Sequence, residues 1–279
     1  MSELMEIIKN ALIEGHKVLE KALKADGREI RGRGAYGDIS YAFDLAVEEA
    51  IINFLHQNLD GCVMISEESG IIRDPNPRYY VLIDPVDGSK NAWKGIPFYC
   101  TSISIAKGPR VSDIVAAGVI DHPRNKLYLG EVDAGVEVSG RKPRLSMIRS
   151  LEDAMLLVDH DAIKIMETRE WTMKILHRCR GTRFLAAAAL ETALILDGAV
   201  EGFLCPSRSL KLMDFIASTF LVKLAGGHYR IVGGDEDTLL MDNGKFGVLV
   251  TSTKELLNEI LSLRDEPGIK NTRSNLESS

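Results

Sequence analysis

The segment RYYVLIDPVDGS (78–89) constrains this chain more than any other. Tyr79 to Ile83 are aromatic, β-branched or aliphatic and read as a strand. That strand runs directly into Asp84-Pro85-Val86-Asp87-Gly88, a Pro/Gly turn. Two carboxylates separated by a rigid proline and one residue can turn towards a single point. Hard oxygen donors of this kind suit Mg²⁺, which wants near-octahedral oxygen geometry and keeps several waters. The Val86 carbonyl lies between them as a further oxygen. Gly88 lets backbone approach an anion closely. SKNAWKG (89–95) can start a helical turn whose free N–H groups face phosphate oxygens, although a plain capped turn reads the same way.

Two more acidic positions join this motif. Glu67 and Glu68 end the strand-like CVMISEE (62–68), and Asp214 opens the helical DFIASTFLVKLAGG (214–227). Singly, each has an ordinary explanation: a solvated pair at a strand end, or a helix-start aspartate favoured by the macrodipole. Together they extend one hard-oxygen set. The histidines (His16, His56, His122, His160, His177 and His228) show no ligand spacing, and no C-x-x-C pair occurs, so a zinc site is not expected.

Around these positions the pattern alternates between helix and strand. Leu4, Ile8, Ala11, Leu12, Leu19 and Leu23 mark one face of an N-terminal helix. The glycine- and arginine-rich stretch 27–38 reads as a mobile loop, whose Arg28, Arg31 and Arg33 either approach a bound phosphate or, the preferred reading, are solvated. A second helix follows from about Ser40. FYCTSISIAKG, DIVAAGVIDHP and KLYLGEV read as paired strands. GRKP (140–143) is the candidate boundary between an N-terminal half (1–140), which carries most of the acids, and a C-terminal half (141–266) with Asp214. In the second half, MLLVDH and VEGFLC read as strands and ETREWTMKILHRC as a helix. GTRFLAAAALETALILDG (181–198) reads as one long helix capped by Gly198. Asn243-Gly244 signals a hairpin, TKELLNEILSLRD a last helix, and 267–279 a frayed polar tail.

The net charge of -6 disfavours nucleic acid or an anionic membrane as the main partner, but not an anionic substrate, because a bound cation inverts the local field. The N-terminus lacks a signal peptide's apolar core, and the most apolar stretch, Phe184 to Leu196, is broken by Glu191. Four cysteines in a chain of 279 residues make no disulfide framework, so a reducing cytoplasm is expected.

The strings ISEES (65–69), IDPVDGSKN (83–91) and LMDFIAS (212–218) resemble the three signature regions of the inositol monophosphatase superfamily. DISYAFDLAVEEAIINFL (38–55) resembles the family segment that supplies a further active-site aspartate, here Asp44. LAGGHY and MDNGKFGVLVTS continue the likeness downstream. The resemblance implies an α+β fold, a layered α/β/α/β/α sandwich, and commonly a homodimer. It implies Mg²⁺ as cofactor, two or three ions, with Mn²⁺ as a substitute. Glu67, Asp84 and the Val86 carbonyl would hold the first ion, and Asp84, Asp87 and Asp214 the second. Glu67, with Glu68 nearby, would hold a weaker third. Ser89 and Asp44 would polarise the attacking water, and the Gly88 and Ser89 N–H groups would hold phosphate oxygens. The implied activity is a phosphomonoesterase on inositol 1-phosphate or fructose 1,6-bisphosphate, sensitive to Li⁺. A 3′-phosphoadenosine nucleotide phosphatase and a non-catalytic sensor are the rival readings.

Several positions depart from the family pattern. Ser89 stands for threonine, Met213 for tryptophan, and Ala186-Ala187 for a glycine-serine pair. CPSRSLKLMD (205–214) resembles the archaeal branch, and within it Arg208 and Lys211 are candidate substrate contacts, or else solvated cations.

Overall fold

The computed structural model describes residues 2–25 and 29–266. The N-terminal region comprises α1 (Glu3–Lys24), the short hairpin β1 (Ile30–Arg33) and β2 (Ile39–Tyr41), and α2 (Ala42–Asn58). α1 forms where the sequence gives it both ends. Ser2 Oγ accepts the Met5 N–H, Glu3 and Glu6 occupy the first turn, and Lys21 and Lys24 the last. Six of its residues were expected to form one apolar face; Leu4, Ile8, Ala11, Leu12 and Leu19 are buried and Leu23 is half-buried.

The first sheet contains β3 (Cys62–Ser66), β4 (Gly70–Arg73), β5 (Tyr79–Asp87), β6 (Cys100–Ala106), β7 (Ile114–Asp121), β8 (Lys126–Glu131) and β9 (Gly135–Val138), with α3 (Ser89–Lys94) between β5 and β6. Its order is β4-β3-β5-β6-β7-β8-β9, with β3 parallel to β5. The second sheet contains β10 (Met155–Val158), β11 (Gly181–Arg183), β12 (Gly202–Leu210), β13 (His228–Val232) and β14 (Phe246–Thr251), in the order β11-β10-β12-β14-β13. The helices of this half are α4 (Asp161–Lys164), α5 (Met166–Arg178), α6 (Ala188–Ala193), α7 (Ile216–Leu224) and α8 (Lys254–Ser262).

Strand alternation sorts these elements into layers. Met64, Val81, Ile83, Ile103 and Ile105 face α1 and α2 in one core. Their neighbours Val63, Ile65 and Leu82 face the opposite way, into a second core with α6 and α7. That core continues into Phe203, Cys205, Val248 and Val250 of the second sheet. Leu156, Leu204 and Leu249 point out of its far face against Trp171, Ile175, Leu257 and Ile260 of α5 and α8. The result is helices, sheet, helices, sheet, helices: the layered α+β sandwich that the resemblance implied. Each fully buried aliphatic side chain contributes about 1.5–3 kcal/mol, so the two-faced strands hold all five layers together. No helix among the described residues is long and apolar enough to cross a membrane.

Three local expectations are corrected. Part of the glycine-rich loop, Ile30–Arg33, is a strand paired with Ile39–Tyr41. The expected long helix over 181–198 is divided: Gly181–Arg183 pairs with β10, Ala186 takes a left-handed φ of 58°, and α6 begins only at Ala188. Gly198 does end this stretch, with φ 66°. Asn243-Gly244 makes no hairpin: the Asp242 carboxylate captures the Gly244 N–H, and β14 pairs with β13 across the longer connection 233–245. The tail 267–279 and Arg28 lie outside the described residues.

Candidate active site

β3 and β5 run parallel in register, Ser66 beside Ile83, so Glu67 and Asp84 emerge at the same sheet edge. The β5–β6 pairing is irregular between Asp84 and Asp87. This break in the alternation brings both aspartates to one cleft. Asp214 arrives from the second half on a 3₁₀ turn, Leu212–Asp214. Ser102, the cross-strand partner of Asp84, donates its hydroxyl to the Met213 carbonyl (3.3 Å) and ties that turn to β6. Glu67, Glu68, Asp84, Val86, Asp87, Gly88, Ser89 and Asp214 thereby line one cleft of about 320 Å³.

Asp44 lies behind this cleft, buried in the first turn of α2. Its Oδ2 accepts the Tyr41 N–H (2.9 Å) and its Oδ1 faces the Ser89 hydroxyl (2.8 Å). Ser89 Oγ is also 2.6 Å from the Val86 carbonyl. Its single proton goes to one or the other, which leaves its lone pairs as acceptors. Asp87 is held by the Ala189 N–H (2.8 Å) and Leu190 N–H (3.3 Å) of α6. Gly88 adopts φ 84°, and a Cβ there would meet Ala187 Cβ and the Phe98 carbonyl at 3.0 Å.

The electrostatics of this cluster call for a cation. Burial, then the charges of Glu67, Asp87 and Asp214, drive the Asp84 pKa well above the ordinary carboxylate range. Burial and neighbouring acids also push Asp87 and Asp214 up to about 7, although backbone N–H groups partly relieve both. Asp44 rises to about 8, chiefly through burial, against the opposing effect of the Tyr41 N–H and Ser89. Asp84 Oδ1 is buried without a hydrogen-bond partner. A buried carboxylate oxygen with no donor, within a set made only of oxygens, fits a hard divalent ion such as Mg²⁺.

The other expected contacts sit differently. Arg208 is not at the cleft: it donates to the Lys245 carbonyl and lines a separate cavity beside Trp171 and Pro206. Lys211 is at the cluster but engaged, its amine bonded to Asp38 (2.5 Å) and Glu67 (3.1 Å). The Glu68 carboxylate lies beneath Gly34 of the β1–β2 turn, where an added Cβ would meet its Oε2 at 2.6 Å. His56, Cys62 and Asp74, which no sequence spacing links, bring one ligand atom each within 4.8 Å of one another. Cys62 starts the strand whose other end leads to Glu67, and Asp74 accepts the Cys62 N–H there.

Some participants escaped the sequence reading. Lys90 and Lys245 line the cleft. Glu48, one turn after Asp44 on α2, accepts the N–H groups of Glu68 and Ser69 and so shapes the loop that carries Glu67. Glu191 does the same for the Leu185 and Ala187 N–H groups beside Asp87's partners. In the sequence, the available signal was an acid on a helix face that is otherwise apolar.

Three comparisons bear on this geometry. The profile of the inositol monophosphatase family matches residues 1–267. The fructose-1,6-bisphosphatase of Pyrococcus furiosus is 27% identical over 239 residues, covering 85% of this chain and 88% of that protein. The bifunctional NADP phosphatase/NAD kinase of Methanococcus maripaludis is 27% identical over 275 residues, 88% of this chain; the match spans about half, 47%, of that longer protein. Among solved structures, the extragenic suppressor protein suhB from Bartonella henselae superposes with a TM-score of 0.82 at 22% identity, over 95% of this chain and 99% of that one.

Proposed function

The chain belongs to the inositol monophosphatase family, and on that premise we propose that it is a Mg²⁺-dependent phosphomonoesterase acting on a small sugar or inositol phosphate. The observation that carries this reading is the convergence of Glu67, Asp84, Asp87 and Asp214, from both halves of the chain, on one cleft beside the Gly88 turn. Glu67, Asp84 and the Val86 carbonyl would hold one ion, and Asp84, Asp87 and Asp214 a second. When bound, such ions neutralise the phosphoryl group and the leaving oxygen and acidify water.

The chain's own groups do the positioning. The Gly88 and Ser89 N–H groups orient phosphate oxygens at the start of α3. Ser89 Oγ, its proton turned to Asp44 rather than to the Val86 carbonyl, accepts a hydrogen bond from the attacking water and aims it in line at phosphorus. Asp44 draws the proton away through that hydroxyl. Without cations, the acids would repel a phosphate dianion.

Lys90 and Lys245 line the cleft and favour a substrate with a second anionic group. Fructose 1,6-bisphosphate therefore ranks ahead of inositol 1-phosphate. The reading includes Mn²⁺ as a substitute ion, competition by Li⁺, a homodimer and a cytoplasmic setting.

The test is phosphate release from fructose 1,6-bisphosphate, inositol 1-phosphate, 3′-phosphoadenosine 5′-phosphate and NADP, each with Mg²⁺ and with EDTA. Mg²⁺-dependent turnover is expected, with Asp87→Asn lowering it about 100-fold or more. An Asp87→Asn protein as fast as wild type would show the site to be misassigned. Metal binding without turnover on any ester would favour a non-catalytic sensor.

A further inference from the structure

Lys211 brings a buried positive charge to the carboxylate cluster. Its side chain is 7% exposed, and its amine contacts Asp38 Oδ2 at 2.5 Å and Glu67 Oε1 at 3.1 Å. The amine also lies 5.0 Å from the centroid of the Tyr36 ring. Its backbone is fixed by the same cluster, because the Lys211 N–H donates to Asp214 Oδ2 (2.8 Å). One cluster acid therefore sets the lysine's backbone and another holds its amine. A lysine ammonium is a compact point charge with three donors, and two of them are committed to carboxylates here.

This placement bears on where cations fit. The pair expected to hold a weak third ion was Glu67 with Glu68. Glu67 has one oxygen taken by the ammonium, whereas Glu68 lines the cleft beside Gly34 with its Oε2 buried and without a partner, so the charge of Lys211 is what opposes a further ion here. A further ion beside Glu67 would have to displace Lys211 or sit against its charge.

We propose that Lys211 is a built-in cation occupying the outer position of the metal cluster, so that this chain binds two divalent ions and excludes the third. The proposal rests on the phosphatase reading for the identity of the ions. It also gives the Lys211–Asp38 pair a purpose: it ties the β1–β2 hairpin, through Asp38, to the turn that carries Asp214.

Counting bound Mn²⁺ by electron paramagnetic resonance tests this without reference to turnover. Wild type is expected to bind two ions per chain. Lys211→Met is expected to bind a third, about tenfold or more tighter than any third ion on wild type, because the like-charge repulsion is gone. Lys211→Gln keeps a donor towards Asp38 but no charge, guards against misfolding of the methionine variant, and should gain the same ion. Lys211→Arg should remain at two. Three ions on wild type, or two on both uncharged variants, would overturn the inference while leaving the phosphatase reading intact. A wild-type protein that binds no Mn²⁺ and releases no phosphate would end both.

Discussion

Acidification should test how the Asp84–Asp87 turn is held from behind. Thr101 Oγ1 donates its only proton to the Pro85 carbonyl, within the Asp84–Asp87 turn (2.6 Å). It must therefore accept from His122 Nε2–H (2.8 Å). Neutral His122 then carries its lone pair on Nδ1, which accepts from His16 Nδ1–H (2.9 Å). A second proton on His122 would reverse the bond to His16, forcing that ring onto its other tautomer, and would place a charge on a buried ring. Burial, and then the charge of His16, hold the His122 pKa down to about 3, against an ordinary 6.5. The unfolded chain therefore binds a proton that the folded chain refuses. The stability this contributes is complete above about pH 6.5 and is lost as pH falls towards 3. Two pH units below the unfolded pKa, near pH 4.5, the loss is roughly 2–3 kcal/mol. Urea unfolding followed by circular dichroism, at about pH 7 and about pH 4.5 in EDTA, measures it. His122→Leu removes the titrating ring, so it should start less stable at neutral pH yet lose ~2–3 kcal/mol less on acidification. Equal losses in the two proteins would refute the neutral-histidine network.

Four further outcomes follow from the geometry. Asp44→Asn should lower turnover about 10²–10⁴-fold while leaving Mn²⁺ binding unchanged, because Asp44 reaches the cleft only through Ser89; a lost ion would instead make it a ligand. Glu191→Ala strands the Leu185 and Ala187 N–H groups and should cost ~2–4 kcal/mol in chemical denaturation, with a cost below ~1 kcal/mol counting against the role assigned to it. Ala186→Gly should raise stability by up to ~1 kcal/mol, read as an upward shift in melting temperature, since Ala186 holds a left-handed φ of 58°. Mg²⁺ should raise the melting temperature and EDTA lower it, because the ions relieve the mutual repulsion of Asp84, Asp87 and Asp214; a melting temperature indifferent to both would argue against a built metal cluster.

Much of this was legible in the sequence because the relevant chemistry is local. A strand of Tyr, Val, Leu and Ile running into Asp-Pro-Val-Asp-Gly announces both its own burial and its end. The α1 periodicity and end charges define a helix without reference to neighbours. Where local signals competed with pairing partners, they misled. Gly181–Arg183 has helical company in sequence, yet β10 offers it an open edge, and backbone pairing prevails. Asn243-Gly244 favours a tight turn, but the Asp242 side chain takes the Gly244 N–H first.

The sequence by itself determined that two carboxylates and a carbonyl stand close together, because the spacing within Asp84–Asp87 is a property of four consecutive residues. It also determined the face of each strand, since alternation has a period of two residues. Only the tertiary structure decided which distant groups complete the site and what each is free to do. Arg208 and Lys211 are three residues apart on one segment, yet one lies in another cavity and the other among the acids. The physical reason is that a side chain's charge is written in its residue type, whereas its partners depend on how two sheets with α6 and α7 between them bring remote backbone together.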